Sequence, residues 1–179
     1  MNEVTYQGMT FVPFITRDEI QREVARVAQE IKRDCTTDNP LMLCVLNGAF
    51  MFAADLIRAC AIPQVEIAFI RFKSYEGTSS TGTVKQIMGL TEDITDREVI
   101  IVEDIVDTGV TATKLRQLLA ERGARSVKMA SLLFKPSSLT EGMPPEYVGF
   151  SIPSKFIIGY GLDLDGKARD LPDIYVLKQ

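Results

Sequence analysis

From Thr16 onward the chain alternates between two hydrophobic rhythms. Ile20, Val24, Val27 and Ile31 recur at helical spacing, so residues 17–34 read as a helix with one apolar face. Thr16 and Glu19 precede them as a capping box, hydroxyl and carboxylate each able to satisfy the other residue's backbone N–H. Leu41 to Leu46 is a short unbroken apolar run, the pattern of a strand buried on both faces. The rhythms then repeat as a helix over 49–60, a strand over 65–72, a strand over 98–103, a helix over 110–121 stopped by Gly123, and a strand over 126–134. Buried strands separated by helices imply right-handed crossovers and a parallel sheet. Two stretches break the pattern. Residues 74–86, SYEGTSSTGTVKQ, are rich in Gly, Ser and Thr without periodicity and read as a mobile loop. Beyond Lys135 come short strands punctuated by proline, with Phe156 to Tyr160 the clearest. The expectation is one α/β domain over 1–179, with a core of about 15–145 and a small hood formed by about 1–14 and 146–179.

Composition narrows the function classes. A chain of 179 residues buries about 70% of its unfolded surface and needs neither disulfide nor structural metal to hold a core. Its net charge of −4, without a basic patch, argues against nucleic acid as the main partner. Cys35, Cys44 and Cys60 are odd in number and show no CxxC spacing, which fits free thiols in a reducing cytoplasm. The first ten residues lack the basic-then-apolar pattern of a signal peptide, and the longest apolar stretch, 41–57, is too interrupted to span a bilayer. Histidine is absent. Acid–base chemistry must then rest on carboxylates, Lys, Tyr or Cys.

The most informative stretch is VIIVEDIVDTGVTATKL, residues 99–115. Four β-branched residues drive into Glu103 and Asp104; Asp107, Thr108 and Gly109 follow, and a helix begins near Thr111. In an open parallel sheet, ligands bind beyond the carboxyl ends of the strands. Backbone N–H groups at a helix N-terminus, with Gly109 allowing close approach, suit a phosphate. Thr108 and Thr111 add hydroxyl donors, while the adjacent carboxylates can accept hydrogen bonds from vicinal sugar hydroxyls. The combination suits a sugar phosphate. It is neither a Walker A loop nor GxGxxG.

This stretch resembles the phosphoribosyl-diphosphate signature of type I phosphoribosyltransferases, the hypoxanthine(-guanine) members in particular. Ser74-Tyr75, ASLLFKP (130–136), YVGFSIPSKFIIGYGLD (147–163) and Arg169-Asp170 extend the resemblance over residues 40–179. It implies a type I phosphoribosyltransferase fold, a parallel-sheet core flanked by helices. The reaction implied belongs to purine salvage: the phosphoribosyl group passes from 5-phosphoribosyl 1-diphosphate to N9 of hypoxanthine or guanine, giving IMP or GMP and pyrophosphate. The same resemblance implies Mg2+, a cytoplasmic homodimer or homotetramer, and no membrane or nucleic-acid partner. Two alternatives stay open: a regulator that shares the fold and signature, and an enzyme for another base such as xanthine.

By the resemblance, Glu103 and Asp104 contact the ribose hydroxyls and lie near the metal, and Asp107, Thr108, Gly109, Val110 and Thr111 wrap the 5′-phosphate. Asp107 is the acid or base at purine N7. Lys135 reaches purine O6, Phe156 stacks on the base, and the Ile157 backbone reads its edge. Asp163 is a magnesium ligand and Arg169 a pyrophosphate contact. The Leu46-Asn47-Gly48 loop is implied to carry a non-proline cis peptide that binds pyrophosphate. Many members have a basic residue where this chain has Asn47, and Asn supplies no cation. The loop with Ser74 and Tyr75 is implied to close over the site and exclude the water that would intercept an oxocarbenium-like transition state. Tyr75→Ala is accordingly expected to lower kcat by leaving the loop open; unchanged steady-state and single-turnover rates would refute this.

Overall fold

The computed structural model describes residues 2–37, 39–74 and 84–178. Its elements are β1 (Val4–Tyr6), β2 (Met9–Ile15), α1 (Arg17–Asp34), β3 (Leu41–Leu46), α2 (Phe50–Cys60), β4 (Glu66–Ser74), β5 (Val84–Met88), β6 (Glu98–Val106), α3 (Val110–Glu121), β7 (Ser126–Phe134), β8 (Tyr147–Ser151), β9 (Ile157–Ile158) and β10 (Ile174–Leu177). The capping box forms: Thr16 Oγ1 accepts the Glu19 N–H at 3.2 Å, and Glu19 Oε2 accepts the Thr16 N–H at 2.8 Å. Ile20, Val24, Val27 and Ile31 are all buried.

The larger sheet has six strands in the order β5-β4-β3-β6-β7-β8. The five from β4 to β8 are parallel, and β5 is antiparallel to β4. Side chains alternate across a strand, so β3 serves two cores. Met42 and Cys44 pack with α1 and α2, whereas Leu41, Leu43 and Val45 pack with Leu115 and Leu119 of α3. That is why the run at 41–46 carries no polar position. A four-stranded sheet, β1-β2-β10-β9, joins the two ends of the chain, with Phe11, Ile158 and Tyr175 in its own small core.

Three sequence expectations are corrected. Residues 84–86 are not loop; they lie in β5, the edge strand paired antiparallel with β4. Tyr75 and the rest of 75–83 lie outside the described residues. The strand expected over 98–103 runs on to Val106, because β7 offers partners through Ile105↔Leu133 and Val106↔Phe134. Glu103 and Asp104 therefore sit inside the strand. Finally, residues 147–151 do not join the small sheet; they form β8, the parallel edge strand beside β7.

α3 is fastened to the far edge of the sheet by one carboxylate. Glu146, just before β8, accepts both Nη groups of Arg116 at 2.9 and 2.6 Å and the Met129 N–H at 2.8 Å. Burial works against its ionisation, but these bonds hold Glu146 below the usual carboxylate range. A group depressed in the fold adds stability that is present above its unfolded pKa of about 4.3 and is lost as pH falls through the folded value. A third of the side chain is exposed, 33%, so solvent screening limits the contribution to about 1 kcal/mol. Glu146→Gln is expected to lower Tm by about 2–4 °C at pH 7 and to shrink the mutant–wild-type gap below pH 4. Melting curves across pH 3–7 check this, and a gap that stays constant would refute it.

Candidate active site

The carboxyl end of β6 opens onto two cavities that share a wall. One, about 130 Å3, is lined by Glu103, Ile105, Val106, Asp107, Thr108, Gly109, Thr111 and Ala112. The other, about 340 Å3, is lined by Asp104, Ile105, Asp107, Lys135, Lys155, Phe156, Ile157, Leu162 and Asp163. Ile105 and Asp107 belong to both. Neighbouring strand residues thus divide the paired acids, Glu103 to the smaller space and Asp104 to the larger. Burial, then the Asp104 charge, pushes Glu103 well above the usual carboxylate range. Burial also raises Asp104, although its Oδ1 accepts the Ile105 N–H at 2.9 Å.

The smaller cavity lies over the start of α3, where the first N–H groups have no partner within the helix. Gly109 caps that helix at φ +86°, and a Cβ there would stand 2.1 Å from the Glu141 carbonyl oxygen. Both the conformation and the close approach require glycine. The Thr108 carbonyl accepts the N–H groups of Thr140 and Glu141 at 3.0 and 3.1 Å and the Thr140 hydroxyl at 3.3 Å. This loop is therefore clamped from outside while its inner surface faces the cavity. Thr108, Gly109 and Thr111 meet here; Val110 is the first residue of α3 but does not line the cavity.

In the larger cavity, Lys135 leaves the end of β7, its N–H donating to the Val106 carbonyl at 3.0 Å and its Nζ to Asp107 Oδ2 at 2.9 Å. Lys135 is held at 11% exposure while Asp107 keeps 46%. A cation donor and a carboxylate acceptor are so presented side by side. Phe156, 47% exposed, borders the same space, its ring 6.1 Å from that of buried Phe11. Ile157 belongs to β9, the edge strand of the small sheet, in register with Val176.

Beyond Asp104 two loops meet. The Leu46–Asn47 peptide is cis, and Asn47 is exposed. A Cβ on Gly48 would stand 1.6 Å from Asp104 Oδ2, and a Cβ on Gly161 would stand 2.1 Å from the Gly48 carbonyl oxygen. Asp163 Oδ1 pairs with Arg169 at 2.7 Å, and its Oδ2 accepts the Gly166 N–H at 2.6 Å. Arg169 also donates to the Gly161 carbonyl at 2.6 Å. Ser74 ends β4.

Of the three acids expected near a metal, Asp104 and Asp163 face the larger cavity and Glu103 the smaller. Among the described residues, no three acids or thiols stand together to hold an ion alone. The donor set fits Mg2+, which takes one or two carboxylates and completes its shell with water and substrate phosphate oxygens.

The chain matches the phosphoribosyl transferase domain family over residues 16–165. It belongs to that family. A hypoxanthine-guanine phosphoribosyltransferase of Mycobacterium tuberculosis (strain CDC 1551 / Oshkosh) is 38% identical over 96% of this chain and 88% of its own length. A Bacillus anthracis crystal structure of a hypoxanthine-guanine phosphoribosyltransferase superposes with TM-score 0.88 at 38% identity, covering 93% of this chain and 98% of that one. The hypoxanthine phosphoribosyltransferase of Trypanosoma cruzi, solved with the product IMP, gives 0.86 at 37%, covering 98% and 97%. The phosphoribosyltransferase core of this chain is the parallel sheet described above.

Sequence reasoning did not single out Lys155, Leu162 or Gly161 at this phosphoribosyltransferase site. Lys155 was legible only as the neighbour of Phe156, and Gly161 only as part of Gly-Tyr-Gly. Gly48 has a role beyond its backbone, because its missing side chain is the space Asp104 occupies. Gly48→Ala is expected to displace the Asp104 carboxylate by about an ångström and cut turnover of phosphoribosyl diphosphate roughly 100-fold, with Tm moving by no more than a few degrees. Kinetics paired with a thermal melt check this; a wild-type rate would refute it.

Proposed function

We propose that this protein is a purine-salvage enzyme, transferring the phosphoribosyl group of 5-phosphoribosyl 1-diphosphate to N9 of hypoxanthine, and of guanine, with release of pyrophosphate. One observation carries the reading: Asp107 is common to the loop-side cavity and to the cavity holding Lys135 and Phe156. A nucleotide with its phosphate on the loop and its base against Phe156 would pass Asp107 at the glycosidic bond. The Trypanosoma cruzi relative with bound IMP supports the same product class.

In this reading the N9 lone pair forms the bond to ribose C1, and the C1–O bond to the diphosphate breaks with its electrons going to the leaving oxygen. Asp107 accepts the proton at N7, and the paired Lys135 donates to O6. The contribution of Asp107 lies in position and in stabilising developing charge. Thr108, Gly109, Val110 and Thr111 hold the 5′-phosphate, and Glu103 and Asp104 accept from the ribose hydroxyls. Phe156 stacks on the base, whose edge the Ile157 backbone meets. The Leu46-Asn47-Gly48 backbone and Arg169 serve the diphosphate. Mg2+ would be held by Asp163 and Asp104 with substrate oxygens, offsetting diphosphate charge. Ser74 and Tyr75 belong to closure of the site.

Operation as a cytoplasmic homodimer or homotetramer is part of the same reading. Exposed Phe50, Ile67 and Phe69 support an association surface, and no described helix is long and apolar enough to cross a membrane.

The deciding assay mixes the protein with magnesium, phosphoribosyl diphosphate and hypoxanthine, guanine, xanthine or adenine, following nucleotide formation by ultraviolet absorbance. Hypoxanthine and guanine are expected to react. Adenine is expected to fail, because its amino group meets the Lys135 ammonium donor to donor. No turnover with any base would overturn the reading. Asp107→Asn is expected to lower kcat by roughly 100-fold or more while IMP binding changes little, since the loop N–H groups remain. Wild-type turnover in that variant would send the proton elsewhere.

A further inference from the structure

The loop from Gly159 to Arg169 carries Asp163 and Arg169, yet few regular elements hold it. Gly159, Tyr160 and Gly161 stand in succession at φ +99°, +48° and +98°. A tyrosine between two left-handed glycines occupies a conformation its side chain disfavours, so contacts elsewhere must fix it. Tyr160 is 4% exposed, and its hydroxyl donates to Asp55 Oδ2 on α2 at 2.5 Å. The same carboxylate accepts Gln21 of α1 at 2.9 Å and pairs with Arg58. Burial opposes ionisation of Asp55, but these three partners together hold it below the usual carboxylate range.

α2 begins two residues after Gly48, and Asp55 lies about 7.5 Å along its axis from Phe50. One helix therefore carries the Asn47–Gly48 loop at its start and the anchor of the opposing loop in its body. The two loops touch where Gly161 lies against the Gly48 carbonyl. From Gly161 the chain runs directly to Asp163, and Arg169 is bonded back to the Gly161 carbonyl.

We propose that Tyr160 is a positioning residue for the diphosphate half of the site, setting through Asp55 the spacing between the Asn47–Gly48 loop and the Asp163–Arg169 loop. This rests on the transferase reading above. The base side is held separately: Ile157 lies in the β10 ladder, and the Phe156 carbonyl accepts the Leu177 N–H at 3.0 Å. The 5′-phosphate loop is clamped by Thr140 and Glu141. Loss of the Tyr160 hydroxyl should loosen diphosphate binding and leave nucleotide binding intact.

The test uses calorimetry with two probes, magnesium pyrophosphate and IMP, on Tyr160→Phe, Asp55→Leu and Asp55→Asn, alongside the donor and hypoxanthine KM values. Tyr160→Phe removes the Tyr160–Asp55 bond alone and Asp55→Leu removes it together with the Gln21 and Arg58 contacts, so either folded variant reads that bond. The expected result is pyrophosphate affinity and donor KM worse by about tenfold, the scale of one hydrogen bond to a charged group. IMP affinity and hypoxanthine KM are expected to stay within twofold. Asp55→Asn keeps an oxygen acceptor and is expected to restore most of the difference. Unchanged pyrophosphate binding in both disrupting variants overturns the proposal. So does equal weakening of pyrophosphate and IMP, the mark of general loosening. Failure of the transferase reading is separate, since it shows as wild-type protein turning over no base.

Discussion

Two successive carboxylates inside a strand, one buried and one half-buried, are costly in any fold, and the carboxyl end of this sheet is arranged around Glu103 and Asp104. Burial, then the Asp104 charge, raises Glu103 well above its usual range, and burial, with the field of the two acids, pushes the Cys44 thiol up to about 12. A strand that ended at Val102 would have released both acids to solvent. β6 instead continues between its neighbours, and β7 keeps the ladder bonded as far as Val106. Gly48 supplies room for one carboxylate, and the positive charge of Arg169 acts on the same group. Unfavourable local choices of this kind are expected where a site is built.

The second organising contact is the Asp107–Lys135 pair, which joins the β6-to-α3 turn to the end of β7. The Lys135 N–H and Nζ, then Thr140 and Glu141, all bond to the stretch Val106–Thr108. The turn into α3 thus has a rigid back, and Lys135 and Asp107 are fixed to the same unit. In the proposed reading, a nucleotide meets one preformed surface with its phosphate and its purine. The far side of Asp104 is built differently, from two loops that meet at a pair of glycines and are referred to one helix.

The sequence alone was sufficient for the elements whose signals are local. The capping box at Thr16, the stop at Gly123 and the all-apolar run at 41–46 each follow from neighbouring residues, and α1, α3 and β3 have the ranges so expected. The glycine-capped turn into α3 was legible for the same reason, since glycine, threonines and a helix start lie within a few positions. Motif resemblance carried the function further than spacing could, because Lys135, Phe156, Asp163 and Arg169 stand in ordinary local contexts.

Tertiary structure decided what depends on distant partners. β6 extends past its acids only because β7 lies beside it, and β8 joins the large sheet only because that edge was open. β1 and β2 take their place through β10, more than a hundred and fifty residues away in the chain. The division of Glu103 and Asp104 between two cavities and the contact of Gly161 with Gly48 are likewise invisible in one dimension. So is the bond from Tyr160 to Asp55. Each is a relation between surfaces that only the packed chain brings within hydrogen-bonding or van der Waals range, whereas caps, stops and apolar runs are complete within a few residues of sequence.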